Sequence, residues 1–260
     1  MHSQTQRHRA QTEIKIGKIR HALSLAGIRK KKRLRMPPDY DDKAATIIGL
    51  VAPYTMINHE RLFALIQASR YIARNGIEGA IVECGVWRGG AIAAANLALQ
   101  EHGVKRPLYL FDTFEGMPAP TDLDKRPSGR PAMEQFEATR TGADTSDWCY
   151  ASLEEVQHNL RYLGVDEEDT HFIKGKVEET VPEKAPDGPI ALLRLDTDWY
   201  QSTKHGLQHL FPKLVSGGVL IIDDYGDWPG ARQAVDEYLD AHKIPILLTR
   251  VKGSVIAVKR

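Results

Sequence analysis

Four carboxylates crowd two short stretches of this sequence. Leu195-Asp196-Thr197-Asp198-Trp199-Tyr200 carries two, and Ile222-Asp223-Asp224-Tyr225-Gly226 carries two more. Each stretch follows an apolar run that reads as a strand, Ile190–Leu195 and Gly218–Ile222. If those strands lie side by side in parallel, all four acids converge on one edge of a sheet. Like charges so placed repel, and a hard divalent cation such as Mg²⁺, which prefers carboxylate oxygen and water, relieves the repulsion. Taken singly, Asp196 or Asp223 could cap a helix or satisfy loop amides. Four acids at neighbouring strand ends point instead to a metal. His205 and His209 lie four apart, but Gly206 stands where a His-Glu-x-x-His site needs its Glu. Both are expected on a helix surface.

A second constellation follows the first strand, Ala80–Cys84. Glu83-Cys84-Gly85-Val86-Trp87-Arg88-Gly89-Gly90 runs into an Ala-rich helical segment, Gly90–His102. Glycines there let the backbone turn tightly and approach a ligand in front of a helix N-terminus. The pattern is Glu-x-Gly-x-x-x-Gly, whereas a dinucleotide loop wants glycine where Glu83 stands. Glu83 would repel a pyrophosphate but could accept a bond from an ammonium or a ribose hydroxyl. The second strand, Leu108–Phe111, ends in Asp112, placed to hold ribose hydroxyls, although a turn aspartate is the plain alternative. The third, His171–Ile173, ends near Gly175-Lys176-Val177, where an adenine edge could meet main-chain groups.

These sites need a scaffold, and the remaining pattern supplies one. Asn58 can cap a helix whose apolar positions Leu62, Leu65, Ile66, Ser69, Tyr71 and Ile72 run to about Arg74. Ser152 with Glu155 makes a capping box for a helix to about Leu163. Ser202–Leu214 and Gly230–His242 read as helices, and Ile244–Leu248 with Ser254–Val258 as a hairpin about Lys252-Gly253. Alternating strands and helices imply a doubly wound, mostly parallel α/β sheet, with the hairpin adding antiparallel strands. Ligands in such sheets sit beyond the carboxyl ends of the strands, where the constellations fall. The polar, proline-bearing stretch Pro118–Trp148 is long for a loop in a compact domain and reads as an active-site lid over residues 118–150.

The bulk numbers narrow the class. With 42% hydrophobic and 27% charged residues the chain is an ordinary globular one, and no run approaches the roughly 20 apolar residues of a membrane span. Two cysteines, Cys84 and Cys149, make no disulfide framework, and the cytoplasm is the expected compartment. Residues 1–35 carry a net charge of +10, leaving −9 for the rest. We divide the chain into a basic arm, residues 1–38, and a domain, residues 39–260, joined through the acidic stretch Asp39–Asp42 as a linker. The arm is expected to be solvated or to pack on the body. Its Ile14, Ile19, Ala22, Leu23 and Ala26 make a short amphipathic helix suited to a partner subunit.

From about Tyr54 onward the sequence resembles the macrocin-type (TylF-type) sugar O-methyltransferases of antibiotic biosynthesis, a family that includes the aminocoumarin noviose O-methyltransferase. The resemblance rests on Thr55-Met56-Ile57 with Arg61-Leu62, Val82 to Gly90, and Phe111-Asp112-Thr113-Phe114-Glu115-Gly116-Met117-Pro118. It continues through Leu195 to Thr203, Ile222 to Gly226 and Trp228-Pro229-Gly230-Ala231-Arg232. It implies a class I S-adenosylmethionine-dependent methyltransferase fold with a seven-stranded sheet, using Mg²⁺. Carried over by position, Asp196, Asp223 and Asp224 are similar to the metal ligands and Asp198 to the general base. Gly85 and Gly89 would hold the methionine part near Thr55 and Met56, and Asp112 the ribose. Val86, Thr113 and Asp196 would be further cofactor contacts. The expected function is methyl transfer to a hydroxyl of a deoxysugar on a natural product, by a homo-oligomer with no nucleic-acid partner. The alternatives are an O-methyltransferase acting on a catechol or other vicinal diol, and a non-catalytic S-adenosylmethionine-binding module.

Overall fold

The computed structural model describes residues 36–260; the arm's short amphipathic helix lies outside the described residues. The short apolar runs become strands: Ala80–Cys84 (β1), Leu108–Asp112 (β2), Thr170–Lys174 (β3), Ile190–Leu195 (β4), Leu214–Ile222 (β5), Thr249–Val251 (β6) and Ser254–Val258 (β7). They form one sheet in the order β3-β2-β1-β4-β5-β7-β6. The first five are parallel; β7 runs antiparallel to β5, and β6 to β7. This is the expected seven-stranded architecture, and its order reverses between β1 and β4.

Helices cover both faces, as a parallel sheet requires. They are Asp42–Val51 (α1), His59–Arg74 (α2), Gly90–Gln100 (α3), Met133–Thr139 (α4), Leu153–Tyr162 (α5), Val177–Thr180 (α6), Tyr200–Leu210 (α7) and Pro229–Ala241 (α8). Strand residues alternate between the faces. Ile81, Leu110, Leu192 and Ile221 enter the core beneath α1, α2 and α3. Val82, Leu193, Leu220 and Ile222 enter the core with Leu207 and Leu210 of α7 and Val235 of α8. The same alternation puts Glu83, Arg194 and Asp223 on the face that carries α2. Among the described residues, no helix is long and apolar enough to cross a membrane.

The caps expected at Asn58 and Ser152 form: Asn58 accepts from Arg61 N–H at 3.0 Å and Ser152 from Glu155 N–H at 3.2 Å. Three expected elements change. Asp39–Asp42 is not a free linker, because Asp41 caps α1 by accepting from the N–H groups of Lys43 and Ala44 at 3.0 and 2.9 Å. Asp41 also meets Arg70, whose buried guanidinium binds Glu101 at 2.9 Å as well. The helix expected over Ser202–Leu214 ends at Leu210, because Pro212 tightens the chain into a 3₁₀ turn and Leu214 already pairs with Ile190 in the sheet. The hairpin's first strand is Thr249–Val251 rather than Ile244–Leu248. Pro245 has no N–H to donate to a ladder, and Leu247 points outward, 80% exposed.

Arg70→Met is expected to destabilise the fold by about 3 kcal/mol, since it strands Glu101 without its counter-charge. The Arg70 hydrogen bond holds the Asp41 carboxyl well below its ordinary range. That part of the stabilisation is therefore present above the unfolded pKa of about 3.9 and lost as the pH falls further. Urea unfolding should show the gap between native and variant proteins narrowing from pH 7 to pH 2.

Candidate active site

A cavity of about 270 Å³ opens at the carboxyl ends of the strands, on both sides of the point where strand order reverses. At one end β1 turns into α3 through Gly85, whose φ of 82° is left-handed. A Cβ there would collide with the main-chain carbonyl of Asp196, so only glycine lets the two strand ends close up. Asp196 N–H donates to the Cys84 carbonyl at 2.9 Å across the same junction. Asp112 gathers the loop by accepting from Val86 N–H at 2.6 Å, Trp87 N–H at 3.1 Å and Phe114 N–H at 2.8 Å. It is thus a turn aspartate that also lines the cavity, and the Thr113 hydroxyl gives its Oδ1 a further, longer contact at 3.4 Å. Burial raises its pKa against those amide bonds.

The structure brings Thr55, Met56, Gly85, Val86, Asp112 and Thr113 to this cavity, together with Gly175, Lys176, Val177 and Asp196. Two expected cofactor contacts are not there. Glu83, 1% exposed, faces Arg194 beneath the cavity floor and bonds it at 2.6 Å, because strand alternation turns it from the loop's ligand side. Gly89, with a φ of 85°, lies behind the loop, where a Cβ would press on Leu160 of α5. Its smallness serves packing.

At the other end Asp196, Asp223 and Asp224 each offer an oxygen, all within 4.8 Å of one another. Arg194 reaches Asp196 at 2.7 Å and Asp223 at 3.0 Å, and Arg61 reaches Asp223 at 2.9 Å and also pairs with Asp227. Asp198, with a left-handed φ of 59°, anchors its N–H on Asp224 at 3.0 Å. The carboxyls outnumber the guanidiniums, and crowding and burial shift their proton affinities. Burial pushes Asp198 up to about 7, helped by the charges of Asp196 and Asp223 and opposed by its hydrogen bond with Asp224. Burial likewise raises Asp196 and Asp224 well above the carboxylate range. Asp223 goes the other way: although burial would raise it, Arg194 and Arg61 hold it low. A close all-oxygen donor set with negative charge in excess is the chemistry a hard divalent cation fits.

Several cavity residues carried no role in the sequence reading. Arg194 was visible as a lone charge inside the apolar run of β4, two residues before Asp196. Arg61 stood in a matching block without an assigned part. Cys149 enters the cavity from the far end of the long loop, with burial pushing its thiol up to about 12, so it is no nucleophile at neutral pH. His205 is more than a surface residue, since its ring bonds the Val181 carbonyl at 2.6 Å. The 118–150 segment is packed, not loose. It holds α4, buries Phe136, and ties Ser146 Oγ to the Met117 carbonyl at 2.8 Å.

The sequence model of the macrocin-O-methyltransferase (TylF) family matches residues 5–260. Mycinamicin III 3''-O-methyltransferase of Micromonospora griseorubida is 36% identical over 192 residues, 74% of this chain and 72% of that protein. The 8-demethyl-8-(2,3-dimethoxy-alpha-L-rhamnosyl)-tetracenomycin-C 4'-O-methyltransferase of Streptomyces olivaceus is 33% identical over 218 residues, 84% and 79% of the two chains. Among solved structures, the O-methyltransferase NovP superposes with a TM-score of 0.69 at 32% identity, covering 79% of this chain and 82% of that one. The architecture is that of class I S-adenosylmethionine-dependent O-methyltransferases.

Gly85→Ala is expected to cost about 2 kcal/mol or more, since it adds a left-handed non-glycine residue and a clash with the β4 end. Chemical denaturation measures the loss. An unchanged midpoint would mean the two strand ends tolerate separation.

Proposed function

Because the chain belongs to the macrocin-O-methyltransferase (TylF) family, we propose that it methylates a sugar hydroxyl of a glycosylated natural product, with Asp198 as general base beside a Mg²⁺ held by Asp196, Asp223 and Asp224. One observation carries the reading. Asp198 shares a cavity with the three-aspartate cluster at one end and the Gly85–Asp112 loop at the other. The rhamnosyl group in the name of the Streptomyces olivaceus relative favours a sugar over a catechol.

S-adenosylmethionine would supply a methyl group already activated as a sulfonium. Gly85, Val86 and Asp112, with Gly175 to Val177, would hold it along the ends of β1, β2 and β3. Mg²⁺ would supply Lewis acidity that lowers the pKa of a bound hydroxyl. An ordinary aspartate, at about 3.9, is a poor base for an alcohol. Asp198 lies in the cavity beside the three-aspartate cluster, where it would meet a hydroxyl whose pKa the metal had lowered. Its backbone is fixed through Asp224, so the carboxyl can meet an acceptor hydroxyl in one orientation. We take residues 39–260 as the methyltransferase domain and 118–150 as a lid that excludes water and completes the acceptor pocket.

Asp198→Asn should lower kcat at least about 100-fold while leaving the dissociation constant for S-adenosylmethionine within about twofold. S-adenosylhomocysteine release on a panel of deoxysugar glycosides and catechols tests the reading; wild-type rates in the variant would remove Asp198 as the base. EDTA should abolish that release, and release indifferent to EDTA would remove the metal. Independently of turnover, Mg²⁺ at about 100 times its dissociation constant should add about 2.7 kcal/mol of stability. Asp224→Ala should erase that gain in a thermal melt.

A further inference from the structure

The helix that follows Asp198 begins without a cap of its own. α7 starts at Tyr200, and its N-cap position is Trp199, whose side chain caps nothing. Tryptophan has no acceptor oxygen, so the first amides of the helix must look elsewhere. The partner comes from the lid. Asp124 Oδ1 accepts from Tyr200 N–H at 2.7 Å, across 76 residues of sequence. Its Oδ2 accepts from Thr121 N–H at 2.7 Å and from the Thr121 hydroxyl at 2.8 Å. Asp124 is 1% exposed, so a carboxylate is sunk into the body and satisfied by a helix N-terminus and one lid residue.

A second observation marks the same seat from the other side. Gly230 lies in the first turn of α8, and a Cβ there would sit 2.8 Å from Asp124 Oδ1 and 3.3 Å from the Leu123 carbonyl. The notch exists because residue 230 has no side chain. Near it the lid meets Trp199 again, whose indole N–H donates to the Pro118 carbonyl at 3.2 Å. Trp148, at the far end of the lid, packs on the Trp199 and Trp228 rings with centroids 5.5 and 6.0 Å away. Asp198 therefore stands between two fixed points: its own N–H on Asp224, and, two residues on, the amide of Tyr200 on Asp124.

We infer that Asp124 is a positioning residue that couples lid seating to the placement of the base: with the lid down α7 is capped and Asp198 is held, and with the lid lifted the cap leaves and the Asp198 turn loosens. The inference rests on the proposed role of Asp198, and it adds a residue outside the cavity to that reading.

Asp124→Ala removes the cap, and Gly230→Ala fills the notch without altering a carboxylate; the second variant carries the test if the first fails to fold. Both should lower kcat about 10- to 100-fold, the scale of a small misplacement of a catalytic group. Both should leave the S-adenosylmethionine dissociation constant within about twofold. Asp124→Asn keeps one acceptor for Tyr200 and should retain more turnover than Asp124→Ala. Two readouts need no methyl transfer. Tryptophan emission should shift as Trp148 leaves Trp199 and Trp228, and trypsin should cut faster after Lys125 and Arg140 of the lid. Native kcat in both alanine variants, or cofactor affinity falling in step with kcat, would overturn the coupling. Unchanged emission and cleavage would overturn the latch itself. Should Asp198→Asn keep native turnover, the base assignment falls while the emission and cleavage results still decide the latch.

Discussion

The structure is organised around a crowd of carboxyl groups that outnumbers its guanidiniums at the carboxyl ends of β4 and β5. A carboxylate taken from water is costly unless a counter-charge and hydrogen bonds replace its hydration. Arg194 is the inner counter-charge, joining Glu83, Asp196 and Asp223 in one cluster. It can do so because Glu83 and Arg194 are partners in the parallel register of β1 and β4 and therefore share a face. Arg61 answers from α2, and Ser254 from β7 bonds the Asp223 oxygen that Arg194 also meets, at 2.9 Å. The helices and strands that build the core are thus the ones that hold the charges apart.

Local backbone conformation carries the same imprint. Trp87, Phe114, Cys149 and Asp198 are non-glycine residues with left-handed φ, and each stands in a loop at or beside the cavity. Such conformations persist where surrounding contacts over-determine them. Phe114 and Trp87 are held through Asp112, and Asp198 through Asp224.

Much of this was legible in the sequence, for reasons of period and position. Apolar runs ending in acids located β4, β5 and the cluster, because a strand end in a doubly wound sheet is also where ligands bind. Asn58 and Ser152 announced their helices because a cap is a local interaction between neighbours in the chain. What was not legible depended on partners far apart. Asp41 looked like linker acidity until Arg70, 29 residues on, gave it a fold-level role. Glu83 read as a ligand contact because its spacing suited the loop, whereas its direction is set by the alternation of β1 and the Arg194 beside it. The long polar segment showed its length but not its packing, since Asp124 and Asp144 find their partners outside it, on Tyr200 and Lys176.

The antiparallel hairpin has a consequence for how the protein comes into being. β7 follows β6 in chain order, yet it lies inside the sheet between β5 and β6, and its first residue, Ser254, donates to Asp223. Next to it, the Gly253 carbonyl accepts from Gly226 N–H at 2.6 Å, fixing the turn after Asp224. A nascent chain folds from its N-terminal side as it is made. Until Gly253 and Ser254 arrive, β5 is a bare edge and Asp223 lacks one of its donors, however well the upstream strands have formed. The cluster is therefore framed only once β7 has been made, and a chain synthesised no further than β5 carries its acids without that frame.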